Sequence, residues 1–160
     1  MFGITSGANQ PSQLAAVTAP ANPPTGSSAA TTSTAADQVP LHNRCPKQAL
    51  ACVDKELRLS WLQQGGKIIY GPVPIMPGTP GAADSVATPN GVWHVTSKDQ
   101  HHVSSEFGEP MENSVFFAPG GIAFHEGSLT TSSHGCVHLS AKDSAYYFAH
   151  LSLGNEVAVF

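Results

Sequence analysis

Apolar and polar positions begin to alternate at about Ala51. Val53, Leu57, Leu59 and Trp61 are interleaved with Asp54, Glu56, Arg58 and Ser60, the period of two expected of a half-buried strand. Gln63-Gln64-Gly65-Gly66 has turn chemistry, and the run KIIYGPVPI after it reads as a second strand, so the pair predicts a hairpin. The segment MPGTPGAADSVATPNG is too rich in Pro and Gly for a regular element and reads as a long loop. Gly91 to Thr96 is a third short strand. A polar stretch, SKDQHHVSSEFGEPMEN, separates it from SVFFAPGGIAF, which reads as two strands broken at Pro119-Gly120-Gly121. One helix is expected: Ser140 and Asp143 give an S-x-x-D start, AKDSAYYFAHLSL carries apolar residues at helical spacing, and Gly154 ends it. Glu156 to Phe160 form a last strand. Short strands, intervening turns and a single late helix predict a mostly β fold with a sandwich or barrel-like core, and exclude a doubly wound α/β architecture.

The first 40 residues follow another pattern. They hold one charged residue, Asp37, and one aromatic, Phe2, among Ala, Ser, Thr, Pro and Gly. Such a segment lacks the apolar surface to offset its ordering entropy, so residues 1–44 are expected to be a flexible tether and residues 45–160 the folded domain. The first basic residue is Arg44 and no apolar core of signal-peptide length occurs, so an intact export signal is not expected. The tether favours a processed or truncated extracytoplasmic protein over a cytosolic one.

Composition narrows the function classes. The 160-residue chain has 41% apolar residues, enough for a core, but only 11% charged residues. The net charge of −4 and the isoelectric point of about 6.0 argue against a nucleic-acid partner. No apolar run approaches the ~20 residues that span a bilayer, so no membrane span is expected. Cys45 and Cys52 lie seven positions apart and Cys136 stands alone, which predicts one disulfide and one free thiol. A bridge closing that short loop is worth about 2.5 kcal/mol in the chain-entropy view.

The chemistry concentrates in FHEGSLTTSSHGCVHLS, residues 124–140. A cysteine is a nucleophile as its thiolate, and His125 and His134 are candidate partners for Cys136. Gly135 permits a sharp turn beside it, where backbone N–H groups can serve an oxyanion. Two other readings stand beside this one. If 134–138 is extended, His134, Cys136 and His138 share a face and an H-x-C-x-H set can ligate zinc. Alternatively, Cys136 is an inert core thiol in a histidine-rich loop. His94, His101, His102 and His150 are read as surface or structural residues, and His42 is given no role.

Ser133-His134-Gly135-Cys136-Val137-His138-Leu139, preceded by His125 in GIAFHEGS, resembles the signature of the L,D-transpeptidases of bacterial cell walls, the YkuD-like family. The opening strand VDKELRLSWL, the GPVPIMPGTPG region, the T-P-x-G element at Thr88-Pro89-Asn90-Gly91 and MENSVFF extend the resemblance over roughly residues 50–160. It implies an antiparallel β-sandwich with a short helix near the C-terminus. It implies Cys136 as acyl-accepting nucleophile, His125 as general base and later acid, and His134 and Gly135 as parts of the active-site loop, with Ser133, His138 and Phe124 as candidate substrate contacts. In related enzymes a backbone carbonyl orients the histidine, and Glu126 or Gly127 is placed to supply it here.

The implied partners are peptidoglycan stem peptides, as donor and acceptor, and carbapenem inhibitors; no metal or cofactor is implied. The implied reaction forms a 3→3 cross-link with release of D-Ala, in the cell wall or periplasmic space. An L,D-carboxypeptidase or a D-amino-acid exchange enzyme would use the same site, and a non-catalytic wall-binding module or zinc module is the more distant alternative. Two features depart from the family pattern. Positions 125 and 136 are only eleven apart, shorter than in many members, and His138 stands where Arg or Asn is usual.

Overall fold

A computed structural model describes residues 34–81 and 85–160. Its elements in chain order are α1 (Ala35–Gln38), β1 (Ala51–Asp54), β2 (Leu59–Gln64), β3 (Lys67–Pro74), β4 (Gly91–His94), β5 (Ser97–Val103), β6 (Pro110–Ala118), β7 (Ile122–Glu126), β8 (Val137–Leu139), α2 (Ala141–His150) and β9 (Glu156–Val159). The described strands form two sheets, one ordered β3-β2-β1-β9-β4 and the other β5-β6-β7-β8. This is the expected mostly β architecture with a short helix near the C-terminus. Most pairings are antiparallel, but β1 with β9 and β7 with β8 are parallel.

The predicted opening strand is in fact two. Asp54, 2% exposed, accepts the Leu57 N–H through Oδ1 at 2.9 Å, and Arg44 Nη2 lies 2.9 Å from its Oδ2. That side-chain-capped turn, with Arg58 at φ 53°, folds β1 back onto β2. Leu57, placed on the buried face by its spacing, is 41% exposed at the turn. The β2–β3 hairpin forms as expected, around Gly65 and Gly66 at positive φ.

The polar stretch after β4 contains a strand that its composition conceals. Ser97–Val103 is the edge strand of its sheet, bonded to β6 alone, and most of its side chains are exposed. It therefore needs no apolar alternation, and its charged and histidine side chains suit a sheet edge.

The main core lies between the two sheets and beneath α2. Val53, Leu62, Val115, Phe117, Phe124, Val137, Leu139, Tyr147 and Val157 are all buried there. Helix α2 starts as its sequence predicts, with Ser140 Oγ accepting the Asp143 N–H at 3.1 Å. It ends at His150, before Gly154, where Lys98 of β5 donates to the carbonyls of Phe148 and Leu151. Tyr147 is anchored through its hydroxyl to Ser60 Oγ at 2.7 Å, and Tyr70 donates to Asp143 at 2.7 Å.

A second cluster covers the other face of the large sheet: Val39, Cys45, Ala49, Cys52, Leu59, Trp61 and Ala158. Within the segment expected to be tether, Val39 is buried in this cluster and Asn43 donates to Gln63 Oε1 at 2.7 Å, while most of residues 34–44 stay exposed. The remainder of the expected tether, 1–33, lies outside the described residues. Cys45 and Cys52 form the expected disulfide and Cys136 is free.

Candidate active site

The site is built on the parallel pairing of β7 and β8, which sets Phe124 opposite Val137 and His125 opposite His138. Side chains alternate along a strand. One face therefore sends Phe124, Val137 and Leu139 into the core, and the other presents His125 and His138 together. Their rings meet edge to face, 4.7 Å between centroids. Cys136, two positions before His138, belongs to the same face.

The loop before Cys136 is held from several sides. Gly135 has φ 124°, a conformation a side chain would strain. Its carbonyl accepts from Thr88 Oγ1 at 2.8 Å, and the same hydroxyl accepts the Gly78 N–H at 3.0 Å. Ser85 Oγ donates to the Ser133 carbonyl at 2.8 Å, and Ser133 Oγ donates to the Cys136 carbonyl and accepts the Gly135 N–H. Gly78 passes so close that an added Cβ would lie 2.5 Å from the Gly135 Cα. Met76 bridges His138, and Gly78 bridges Ser133.

His125 Nδ1 lies 2.7 Å from the Glu126 carbonyl. A carbonyl only accepts, so Nδ1 carries the hydrogen and Nε2 is the unprotonated nitrogen. Of the two carbonyls expected from sequence, Glu126 supplies the orienting bond. Burial, followed by the neighbouring His138, lowers the His125 pKa to about 4. The Cys136 thiol points to the Gly121 carbonyl, with Sγ at 3.4 Å. Burial pushes this thiol up from its ordinary value, opposed by a backbone hydrogen bond from Ala123. Burial thus favours the neutral form of both groups, which line one cavity.

A cavity of about 270 Å³ brings together Cys136, His125, His138 and His134 with Phe107, Met111 and Ile122 on its walls. His134 is stacked on Phe107, 3.8 Å between ring centroids and 11° between planes. Two sequence candidates sit elsewhere. Phe124 is fully buried, packed against Phe117 and Tyr147, because strand alternation turns it away from His125. Ser133, 1% exposed, braces the loop and is not on the cavity wall. The Gly135 turn also breaks the extended geometry that an H-x-C-x-H metal set requires. Among the described residues no group of three or more His, Cys, Asp or Glu is placed to hold a metal ion.

Several participants escaped the sequence reading. Thr88, noted as part of T-P-N-G without a role, is buried and ties Gly78 to Gly135. His102, read as a surface or structural residue, lines the cavity with Glu106 and Glu109, all from the polar stretch. Gly127 adjoins His138 so tightly that a Cβ there would meet the ring at 2.5 Å.

Comparison with known proteins accords with this geometry. The family model described as the L,D-transpeptidase catalytic domain, YkuD, matches residues 48–159. Among solved structures, an L,D-transpeptidase from Stackebrandtia nassauensis is 29% identical, with a TM-score of 0.62 over 69% of this chain and 54% of that one. An L,D-transpeptidase from Mycobacterium smegmatis shares the fold at 20% identity and TM-score 0.61, over 71% of this chain and 58% of its own. So does LdtMt1, solved in complex with imipenem, at 20% identity and TM-score 0.61, over 71% and 59%. The chain thus spans little more than half the length of these structures. No curated protein matches it in sequence. The match over most of the chain establishes that this protein belongs to the YkuD family of L,D-transpeptidase catalytic domains.

Proposed function

We propose that the chain is a cysteine acyltransferase that forms 3→3 peptidoglycan cross-links. The observation that carries this reading is the pairing of a free thiol, Cys136, with a histidine whose Nδ1 is committed to the Glu126 carbonyl, in one cavity. In the first half-reaction His125 Nε2 takes the thiol proton as Sγ attacks the carbonyl that follows the L-centre of a tetrapeptide stem. The C–S bond forms, the tetrahedral oxyanion is met by backbone N–H groups of the loop around Cys136, and the C–N bond to D-Ala breaks as His125 returns the proton to the leaving amine. A neutral pair suits this sequence, because the proton moves with bond formation and no buried charge is held beforehand.

In the second half-reaction the side-chain amine of a neighbouring stem attacks the thioester and restores the thiol. The energy of the original peptide bond is carried by the acyl-enzyme, so no ATP is consumed. That LdtMt1 is solved with imipenem supports carbapenems as acylating ligands for Cys136. The Cys45–Cys52 disulfide supports an oxidising, extracytoplasmic setting in the cell wall or periplasmic space.

The test is intact-mass spectrometry of the non-reduced protein after incubation with meropenem, beside Cys136→Ala. One adduct on the native chain and none on the variant is expected. No adduct on the native chain, or an equal adduct on both, would remove the acyl-enzyme reading.

A further inference from the structure

The setting of His138 gives it a definite chemical form. Its Nδ1 lies 2.9 Å from the Ser128 carbonyl. Here too the carbonyl can only accept, so Nδ1 carries the hydrogen and Nε2 is left as a bare acceptor. The ring is fixed by contact with Gly127 and by edge-to-face packing on His125, and it lines the cavity that holds Cys136. The cavity therefore holds two imidazoles on neighbouring strand positions, each with Nδ1 pinned to a carbonyl and Nε2 unprotonated.

Building on the transpeptidase reading, we propose that His138 is a second general base, dedicated to the acceptor amine. Proton accounting gives it a task. An alkylammonium acceptor has a pKa of roughly 10.4, so at pH 7 it must lose one proton before it can attack. It loses another from the tetrahedral intermediate. His138 Nε2 takes the first proton, freeing the nitrogen lone pair, and passes it to solvent. The amine then forms the C–N bond, the C–S bond breaks with its electron pair on sulfur, and His125 carries the second proton from nitrogen to Sγ. The balance is one ammonium and one thioester in, one amide, one thiol and one released proton out.

The surroundings suit this order. The titratable groups sharing the cavity with His138 are His102 on β5, Glu106 and Glu109 between β5 and β6, His125 on β7, and His134 and Cys136 on the loop. Two imidazolium ions so close together would repel, so the first proton must leave before His125 accepts the second. Burial lowers the His138 pKa, with His134 acting in the same direction, while the Ser128 bond and Glu109 oppose it. Nε2, left without a hydrogen by the Ser128 bond, is the position that accepts the proton. An ammonium entering the same cavity has its own pKa lowered by desolvation, which eases the transfer. Water as acceptor carries no extra proton and does not need this base.

The test compares aminolysis with hydrolysis of the acyl-enzyme formed from a tetrapeptide ending in diaminopimelyl-D-Ala. The acceptor is meso-diaminopimelate, and products are measured by mass spectrometry. His138→Asn keeps a donor for the Ser128 carbonyl and removes the base. Its aminolysis-to-hydrolysis ratio at pH 7 is expected to fall at least about tenfold, and to recover as pH rises toward the amine pKa. With hydroxylamine, already unprotonated at pH 7, the ratio should hold. His138→Gln gives the same comparison if the Asn variant folds poorly. Equal losses with both amines, an unchanged ratio, or a loss that high pH does not recover would overturn the proposal. A native enzyme that forms no acyl-enzyme would instead overturn the transpeptidase reading on which it rests.

Discussion

His125 is buried among apolar walls with a second imidazole against it, and both circumstances disfavour its charged form. Its folded pKa of about 4 lies below the unfolded value of 6.5. Between those values the unfolded chain binds the extra proton, so stability rises with pH across this window and is complete above it. Acidification from pH 7 to 5 should therefore cost about 2 kcal/mol at this residue, read from urea midpoints at the two pH values. In His125→Gln that pH slope should flatten, and meropenem acylation should slow on the order of 10²-fold or more. At this scale the candidate residues could be proposed from sequence: Cys136 and His125 stand in a motif of reactive types at fixed spacing, and the fold sets both on one cavity. The roles of Phe124, Ser133 and Thr88 were not. Whether a residue faces a cavity, a core or a neighbouring loop is decided by strand register and by chain segments distant in sequence, as with Thr88 and Gly135.

Between residues and fold stand the stretches 76–81 and 85–88, joined to 132–138, which together place Cys136. A Cβ at Gly78 would lie 2.2 Å from the Val86 carbonyl oxygen as well as close to Gly135. Gly78→Ala should accordingly destabilise the protein by about 2 kcal/mol and slow acylation more than about tenfold, because a 1 Å displacement of a nucleophile suffices for that. Thr88→Val keeps the shape but leaves a buried N–H and a buried carbonyl unpaired. It should cost about 1–3 kcal/mol in urea unfolding and slow meropenem adduct formation in parallel. Elements with a one-sided apolar pattern, such as the β2–β3 hairpin and α2, could be read from sequence. Strand β5 could not, because an exposed edge strand is specified by its partner β6 rather than by its own alternation. The β1–β2 turn was hidden for the opposite reason: the alternation runs on through it, and only the Asp54 side chain, fixed by Leu57 and Arg44, marks the reversal.

For the molecule as a whole, the disulfide and the segment 34–44 act as a clasp on the outer face of the large sheet. Reduction should lower stability by about 2.5 kcal/mol, measured as a shift in urea midpoint with and without dithiothreitol. Thiol titration of the unfolded, non-reduced chain should find one reactive group, Cys136. The sandwich class was legible because many short strands and one helix leave few alternatives. The sheet order was not, since it joins β1 to β9 across the length of the domain. That order has a consequence in time. Strand β9 lies between β1 and β4, where Val53 pairs with Val159 and Val92 with Ala158. During synthesis the first strands must wait for the last: until Glu156 to Val159 has emerged, β1 and β4 have no common neighbour, and their edges stay open to wrong partners. Emergence of those four residues is therefore expected to be the step that closes the large sheet.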